Sequence, residues 1–229
     1  MRPLFLLALP LLAALPARAA ERPVVIELFT SQSCSSCPPA EALLGEYAAR
    51  GGDVLPLAFH VTYWNGLDWR DTFSLPAATE RQSEYAARLG EGSFTPQLVV
   101  DGRRSVVGSR RGEVDAAIGQ ARAEAQGATA LSLGRRGGEL VVSVAAGSGS
   151  GTLTLVGFDR AHTTAVARGE NAGRSITQAN IVRSVRGLGR WTGAAQTLAT
   201  PLPQGTDAAV LLQGPDGRIL GAARLGAAS

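Results

Sequence analysis

The first half of the chain alternates short apolar runs with amphipathic stretches, which is the pattern of an α/β fold. Four short runs rich in β-branched or apolar residues predict strands: 23–30, 54–61, 97–100 and 105–108. Three stretches with apolar positions on one side predict helices: 40–50, 77–89 and 111–126. The second helix lies inside a long polar and aromatic insertion, residues 62–93.

The pattern changes near residue 127. From there on, strand-like segments are separated by glycine-rich turns, and apolar and polar residues alternate at 139–145 and 152–156. Such alternation is typical of half-buried antiparallel strands. We therefore predict an α/β domain over residues 20–127, followed by an all-β, sandwich-like domain over residues 128–229.

The first 19 residues have the three-part build of a secretory signal peptide. Arg2 precedes an apolar run, which ends at Pro16 and the small-residue pattern Ala17-Arg18-Ala19. The run is too short to span a hydrocarbon core of about 30 Å. We predict cleavage after Ala19, export to the periplasm or the medium, and no membrane anchor in the mature protein.

The basic charge of the chain comes mainly from this segment. All 22 basic residues are arginine, against 19 acidic residues, which gives a formal net charge of +3. Cleavage removes two arginines and no acid, so the mature chain carries +1. Aromatic residues are sparse, at 5%, and are not interleaved with the arginines, unlike those of a single-strand binding groove. We expect no nucleic-acid partner.

The sequence Cys34-Ser35-Ser36-Cys37 holds the only two cysteines, between a predicted strand and a predicted helix. Two intervening residues in a first helical turn bring the sulfurs within bonding distance. The same turn directs N–H groups and the helix dipole at the first sulfur, which lowers its pKa and favours the attacking thiolate. In disulfide exchange, Cys34 is therefore the predicted nucleophile and Cys37 the resolving thiol. We expect no cofactor. Two prolines follow Cys37 and remove N–H donors, which weakens the dipole effect.

The order of elements resembles that of the thioredoxin superfamily, with Thr95-Pro96 directly before the third strand. This resemblance implies an α/β thioredoxin-like domain in which Pro96 is cis and faces the cysteine pair. It also implies that Thr95 offers its backbone to a substrate peptide.

Three segments resemble a narrower bacterial family of exported thioredoxin-like proteins, catalogued as a domain of unknown function. They are ELFTSQSCSSCPPAE (27–41), the His60-x-x-Tyr63-Trp64 stretch with Trp69, and GENAGRSITQANIVR (169–183). This resemblance covers nearly all of the mature chain and implies no particular substrate. The third segment fits either a ligand loop facing the cysteines or a glycine-rich hairpin connection.

Several polar and aromatic residues are candidates for accessory roles. Glu27 is the only charge in its strand; buried beneath the cysteine pair it could accept the Cys37 proton, whereas at a strand edge it would form a salt bridge. His60 ends the second strand, where it serves either the site or hydrogen bonding within the insertion. Three aromatic residues line a substrate groove or form the core of the insertion: Tyr63, Trp64 and Trp69.

These observations favour an exported thiol–disulfide oxidoreductase that acts on protein thiols or disulfides of the cell envelope. One alternative is a Cu(I)-binding or delivery module that uses Cys34, Cys37 and His60, a soft ligand set. Another is a non-catalytic thioredoxin-like binding scaffold with a permanent bridge.

Overall fold

The computed structural model describes residues 22–66, 68–125 and 127–226, which form three helices and eleven strands. The predicted signal peptide, residues 1–19, lies outside them. The helices are α1 (Pro38–Arg50), α2 (Pro76–Leu89) and α3 (Arg111–Glu124). The strands of the first half are β1 (Val24–Thr30), β2 (Val54–His60), β3 (Gln97–Val100) and β4 (Arg104–Val107). Those of the second half are β5 (Leu131–Arg136), β6 (Glu139–Val144), β7 (Gly151–Ala165), β8 (Ser175–Trp191), β9 (Gln196–Pro201), β10 (Asp207–Gln213) and β11 (Ile219–Arg224).

Eight of these strands form one mixed sheet, in the order β11-β10-β7-β8-β2-β1-β3-β4. In the first-half part of this sheet, β1 pairs with β2 in parallel and with β3 antiparallel. Every residue of β1 and β2 is buried, on both faces of the sheet. The strands of the second half join this sheet through β8, which pairs in parallel with β2 at Ala58 and Ile181. The predicted mixed α/β architecture is confirmed, with a sheet that runs through both halves of the chain.

Helices cover both faces of the first-half strands, because successive side chains of these strands point alternately into two apolar cores. Alternate β1 side chains, Ile26 among them, pack with apolar residues of α1 and α3. The intervening side chains, such as Phe29, pack against α2 through Tyr85. The α2-side core continues over the second-half strands, where it includes Phe158.

The second half contains a smaller, separate sheet in the order β5-β6-β9. It packs against β7, β8 and β10 through a third apolar core, in which Trp191 is fully buried. This half therefore has two layers of strands. Its larger layer does not stand apart, however, because β8 continues the first-half sheet. The predicted boundary near residue 127 falls in the connection between α3 and β5.

The long β7–β8 hairpin carries the second half to the end of the first-half strands. Its two strands are 15 and 17 residues long, and they pair from Gly151–Trp191 at one end to Ala165–Ser175 at the other. The connection between Ala165 and Ser175 therefore comes to lie beside the loop that follows β1. Within the described ranges, no helix is long and apolar enough to cross a bilayer.

Candidate functional site

The two cysteines form a disulfide at the start of α1. Their Cα atoms lie 5.4 Å apart, and α1 begins at Pro38, directly after Cys37. The Cys37 N–H donates to the Cys34 carbonyl oxygen at 3.2 Å, which closes the turn. The cysteines are 1% and 0% exposed, whereas Ser35 and Ser36 between them are exposed. The pair therefore lies just beneath a surface turn.

Two hydroxyl groups contact the Cys34 sulfur. Thr95 Oγ1 donates to Cys34 Sγ at 3.3 Å, and Ser36 Oγ lies at the same distance. The Thr95–Pro96 peptide bond is cis, as the resemblance implies. Both hydroxyl groups therefore contact the sulfur of the predicted nucleophile.

The predicted aromatic residues lie around the same turn. Trp64 Nε1 donates to Thr95 Oγ1 at 2.9 Å. Trp69 Nε1 donates to Gln32 Oε1 at 3.0 Å, two residues before Cys34. Tyr63 is 48% exposed, an unusual exposure for a large side chain in this protein. Both tryptophans are thus hydrogen-bonded to residues next to the site, and Tyr63 presents an open aromatic surface.

The segment 169–183 begins in the connection of the β7–β8 hairpin, and residues of this connection contact the cysteine turn. Asn171 Nδ2 donates to the backbone oxygens of Gln32 and Cys34 at 3.0 and 2.9 Å. Glu170 Oε2 accepts the Ser35 N–H at 2.9 Å. The sequence marks this segment as a candidate but does not identify Glu170 and Asn171 individually, because 134 or more residues separate them from their partners.

A buried ion pair lies at the carboxyl end of β2. His60 Nδ1 and Asp71 Oδ2 are 2.7 Å apart, and both side chains are fully buried. Asp71 also accepts the backbone N–H groups of Gln32 and Phe73, at 2.8 and 2.9 Å. Burial lowers the pKa of His60, but the charge and hydrogen bond of Asp71 outweigh it and hold this pKa above 6.5. Burial raises the pKa of Asp71, but the His60 charge and the hydrogen bonds from His60, Gln32 and Phe73 together outweigh it, so this pKa lies below 3.8.

Glu41 is a buried acid that sequence reasoning misses. Its Oε1 accepts hydrogen bonds from Thr30 Oγ1 at 2.7 Å and from Gln178 Nε2 at 2.6 Å. Burial, the largest influence, raises the pKa of Glu41 above 4.5, although the His60 charge opposes the shift. The sequence feature that could have identified Glu41 is its position four residues after Cys37, because residues four apart lie on the same side of a helix. Glu41 Oε2 and His60 Nε2 are both buried without a hydrogen-bond partner.

Glu27 does not lie free beneath the cysteine pair, which corrects the predicted proton-acceptor role. It is fully buried, and its carboxylate binds the Arg81 guanidinium and the Tyr85 hydroxyl, the latter at 2.6 Å. Because side chains alternate along a strand, Glu27 faces α2, whereas Thr30 faces α1 and Glu41. Glu27 is therefore part of an interior ion pair, and it is not at a strand edge either.

The copper ligand set is not assembled. No group of three or more His, Cys, Asp or Glu side chains in the described parts of the chain is placed to hold a metal ion, so Cys34, Cys37 and His60 form no such group. His60 instead pairs with Asp71. The second histidine, His162, is exposed and packs its ring on Phe73, with 4.9 Å between the ring centroids.

Comparison with known proteins identifies the family. A crystal structure of an Agrobacterium tumefaciens protein from a structural genomics consortium is 33% identical, with a TM-score of 0.78 over 92% of this chain and 98% of its own. HBP35 of Porphyromonas gingivalis has a TM-score of 0.63 over 89% of this chain and 74% of its own; at 13% identity, that likeness concerns the fold alone. No curated protein has a significant match to the sequence. The family described as protein of unknown function (DUF1223) matches residues 25–213, and the chain belongs to this family.

Proposed function

We propose that this protein is an exported, thioredoxin-like thiol–disulfide oxidoreductase. The observation that carries the proposal is the Cys34–Cys37 disulfide at the start of α1, with the Thr95 hydroxyl on the Cys34 sulfur and Pro96 beside it. A disulfide that closes a four-residue ring contributes only about 2 kcal/mol by loop entropy, so it is a poor structural staple. The position of the disulfide at the start of α1 is better suited to reversible thiol–disulfide exchange.

The exchange has two steps in the oxidising direction. A partner thiolate attacks Cys34 Sγ, the Cys34–Cys37 bond breaks, and Cys37 leaves as a thiolate that takes up a proton. A second thiolate of the partner then attacks the partner sulfur bound to Cys34, which forms the partner disulfide and releases the Cys34 thiolate. Two electrons pass from the partner dithiol to the protein. The reverse sequence reduces a partner disulfide.

The surrounding side chains have distinct parts in this scheme. Thr95 and Ser36 hold the Cys34 thiolate by hydrogen bonds. Glu41, one turn beyond Cys37 and of raised pKa, is the buried acid that exchanges a proton with the Cys37 thiol. The aromatic residues Tyr63, Trp64 and Trp69 form the rim against which a partner peptide packs.

The predicted signal peptide and the cysteine pair together favour a cell-envelope location. Disulfides persist in oxidising compartments and are rare in the cytosol. Protein thiols or disulfides of the envelope are the proposed partners. Fractionation of cells that express the full chain tests the location, and recovery of the uncleaved protein from the cytoplasm would contradict it.

Exchange assays with the mature chain from Ala20 test the proposed activity. Wild type should equilibrate with glutathione and should oxidise or reduce a model peptide. Cys34→Ser should abolish this exchange, and Cys37→Ser should accumulate the mixed disulfide at Cys34. Ser143→Ala, on the exposed side of β6, is a control that should behave as wild type. A wild type that exchanges with neither reagent would instead support the binding scaffold.

A further inference from the structure

We propose that Glu170 sets the redox poise of the Cys34–Cys37 pair by withholding the Ser35 N–H from the Cys34 thiolate. The inference rests on the proposed exchange activity and adds a regulatory residue to it. Glu170 is not part of the thioredoxin-like half: it comes from the connection between β7 and β8. Its Oε2 accepts the Ser35 N–H at 2.9 Å, inside the four-residue ring.

The neighbouring contacts hold Glu170 over the cysteine turn. Asn171 Nδ2 bridges the backbone oxygens of Gln32 and Cys34, and Arg174 Nη1 donates to Asn171 Oδ1 at 3.1 Å. The Val166 N–H donates to the Arg174 carbonyl oxygen at 2.9 Å, which closes the base of the connection. The Glu170 carboxylate is thus presented by an anchored turn, although the carboxylate itself is exposed.

The cysteine turn has few N–H groups with which to stabilise a thiolate. Pro38 and Pro39 begin α1 and carry no N–H. The Cys37 N–H is used by the Cys34 carbonyl oxygen. Two backbone N–H groups lie between the cysteines, those of Ser35 and Ser36, and Glu170 takes the first. Hydrogen bonds from the Ser35 side chain and from the Ser35 N–H hold the pKa of Glu170 below 4.5, so its charge is present at neutral pH.

The Glu170 charge therefore acts on one side of the redox equilibrium. In the disulfide form, Cys34 is neutral and the carboxylate is satisfied by Ser35. In the dithiol form, the Glu170 carboxylate repels the Cys34 thiolate and competes with it for the Ser35 N–H. Both effects disfavour the thiolate. In the reaction of the protein disulfide with two glutathiones, which gives the dithiol and oxidised glutathione, Glu170 shifts the equilibrium toward the disulfide.

The test is the variant Glu170→Gln, which keeps an oxygen acceptor for Ser35 and removes the charge. Its equilibrium constant for reduction by glutathione should rise by roughly 3- to 10-fold, which is about 15 to 30 mV toward a more oxidising couple. The Cys34 pKa, followed in the reduced protein by thiolate absorbance at 240 nm, should fall. Glu139→Gln, an exposed acid in β6, makes the same chemical change away from the cysteines and should match wild type.

The outcomes separate this inference from the proposed function. Glutathione constants of wild type and Glu170→Gln within twofold of each other, or a Cys34 pKa that does not fall, would overturn the role of Glu170 and leave the oxidoreductase intact. A shift of the constant toward the disulfide would do the same. A wild type that never exchanges with glutathione overturns both.

Discussion

Replacing Arg81 by methionine removes the cation that neutralises Glu27 in the interior of the protein. Glu27 lies in the middle of β1 and is fully buried, and the Arg81 side chain on α2 is 10% exposed. Arg81 Nη2 binds Glu27 Oε1 at 2.9 Å and Tyr85 Oη at 2.8 Å. Methionine fills much of the same space without charge. Glu27 would then keep only the Tyr85 hydroxyl as a partner among these contacts.

The expected cost follows from the burial of both partners. Breaking a buried ion pair from one side destabilises a protein by about 3 to 5 kcal/mol, because the remaining charge is uncompensated. For a domain of about 200 residues, that corresponds to a fall in Tm of roughly 6 to 20 °C. Removing both charges, in Glu27→Gln with Arg81→Met, should restore most of the loss, since no buried charge is left without a partner.

Urea unfolding, with the disulfide kept intact, measures these differences by far-UV circular dichroism and tryptophan fluorescence. A loss of less than about 1 kcal/mol in Arg81→Met, or a double variant no more stable than the single one, would show that Arg81 does not compensate the Glu27 charge. The double variant carries a second result. Because Glu27 faces α2 rather than the cysteine turn, thiol–disulfide exchange should survive in it, which a proton-accepting Glu27 would not permit.

Three further changes probe the buried acids and the packing of the second half. Asp71→Asn should cost about 3 kcal/mol in urea unfolding at about pH 5 to 6 and less at pH 9. The raised pKa of His60 gives stability below pH 6.5, and this stability is lost as the pH rises through the folded-state pKa. The lowered pKa of Asp71 gives stability above pH 3.8, and this stability is lost as the pH falls. A cost of the substitution that does not depend on pH would contradict this. Glu41→Gln should be more stable than wild type at pH 8 and equal to it below pH 4.5 in thermal melts. Burial raises the pKa of Glu41, so wild type loses stability as the pH rises above 4.5, whereas glutamine does not titrate. A larger gain of the variant in acid would argue against this. Gly157→Ala should cost about 2 to 3 kcal/mol in urea unfolding, because the added Cβ would overlap the backbone of the β9–β10 connection. Gly134→Ala has open space around it and should be neutral or slightly stabilising. Equal losses of stability in the two variants would count against close packing at Gly157.

Local patterns were sufficient for the elements of the first half and for the centre of the site. The apolar run at 23–30 became β1 (Val24–Thr30), because a strand buried on both faces leaves a continuous apolar signal. The helix predicted at 77–89 became α2 (Pro76–Leu89) for a similar reason, since one apolar side repeats with the helical period. The position of Cys34 between such elements is likewise a local property.

The choice of the buried acid could not be made locally. Both Glu27 and Glu41 are close to the cysteines in sequence, but only Glu27 was predicted as a buried acid, because it is the only charge in its apolar strand. Its partner Arg81 lies 54 residues further along, in a helix whose packing on β1 has no local signature. Glu41 is held by Thr30 and by Gln178, and the second of these lies 137 residues away. The roles of the two acids are set by tertiary contacts, which override what the local sequence favours.

The same long-range contacts make the second half part of the site. A separate all-β domain would have required β8 to pair only with its neighbours in the second half. Its parallel bridge to β2, between Ala58 and Ile181, instead places the β7–β8 connection at the carboxyl end of β1 and β2. From there Asn171 holds the cysteine turn, and Gln178 holds Glu41. The contacts that hold the cysteine turn therefore come from both halves of the chain.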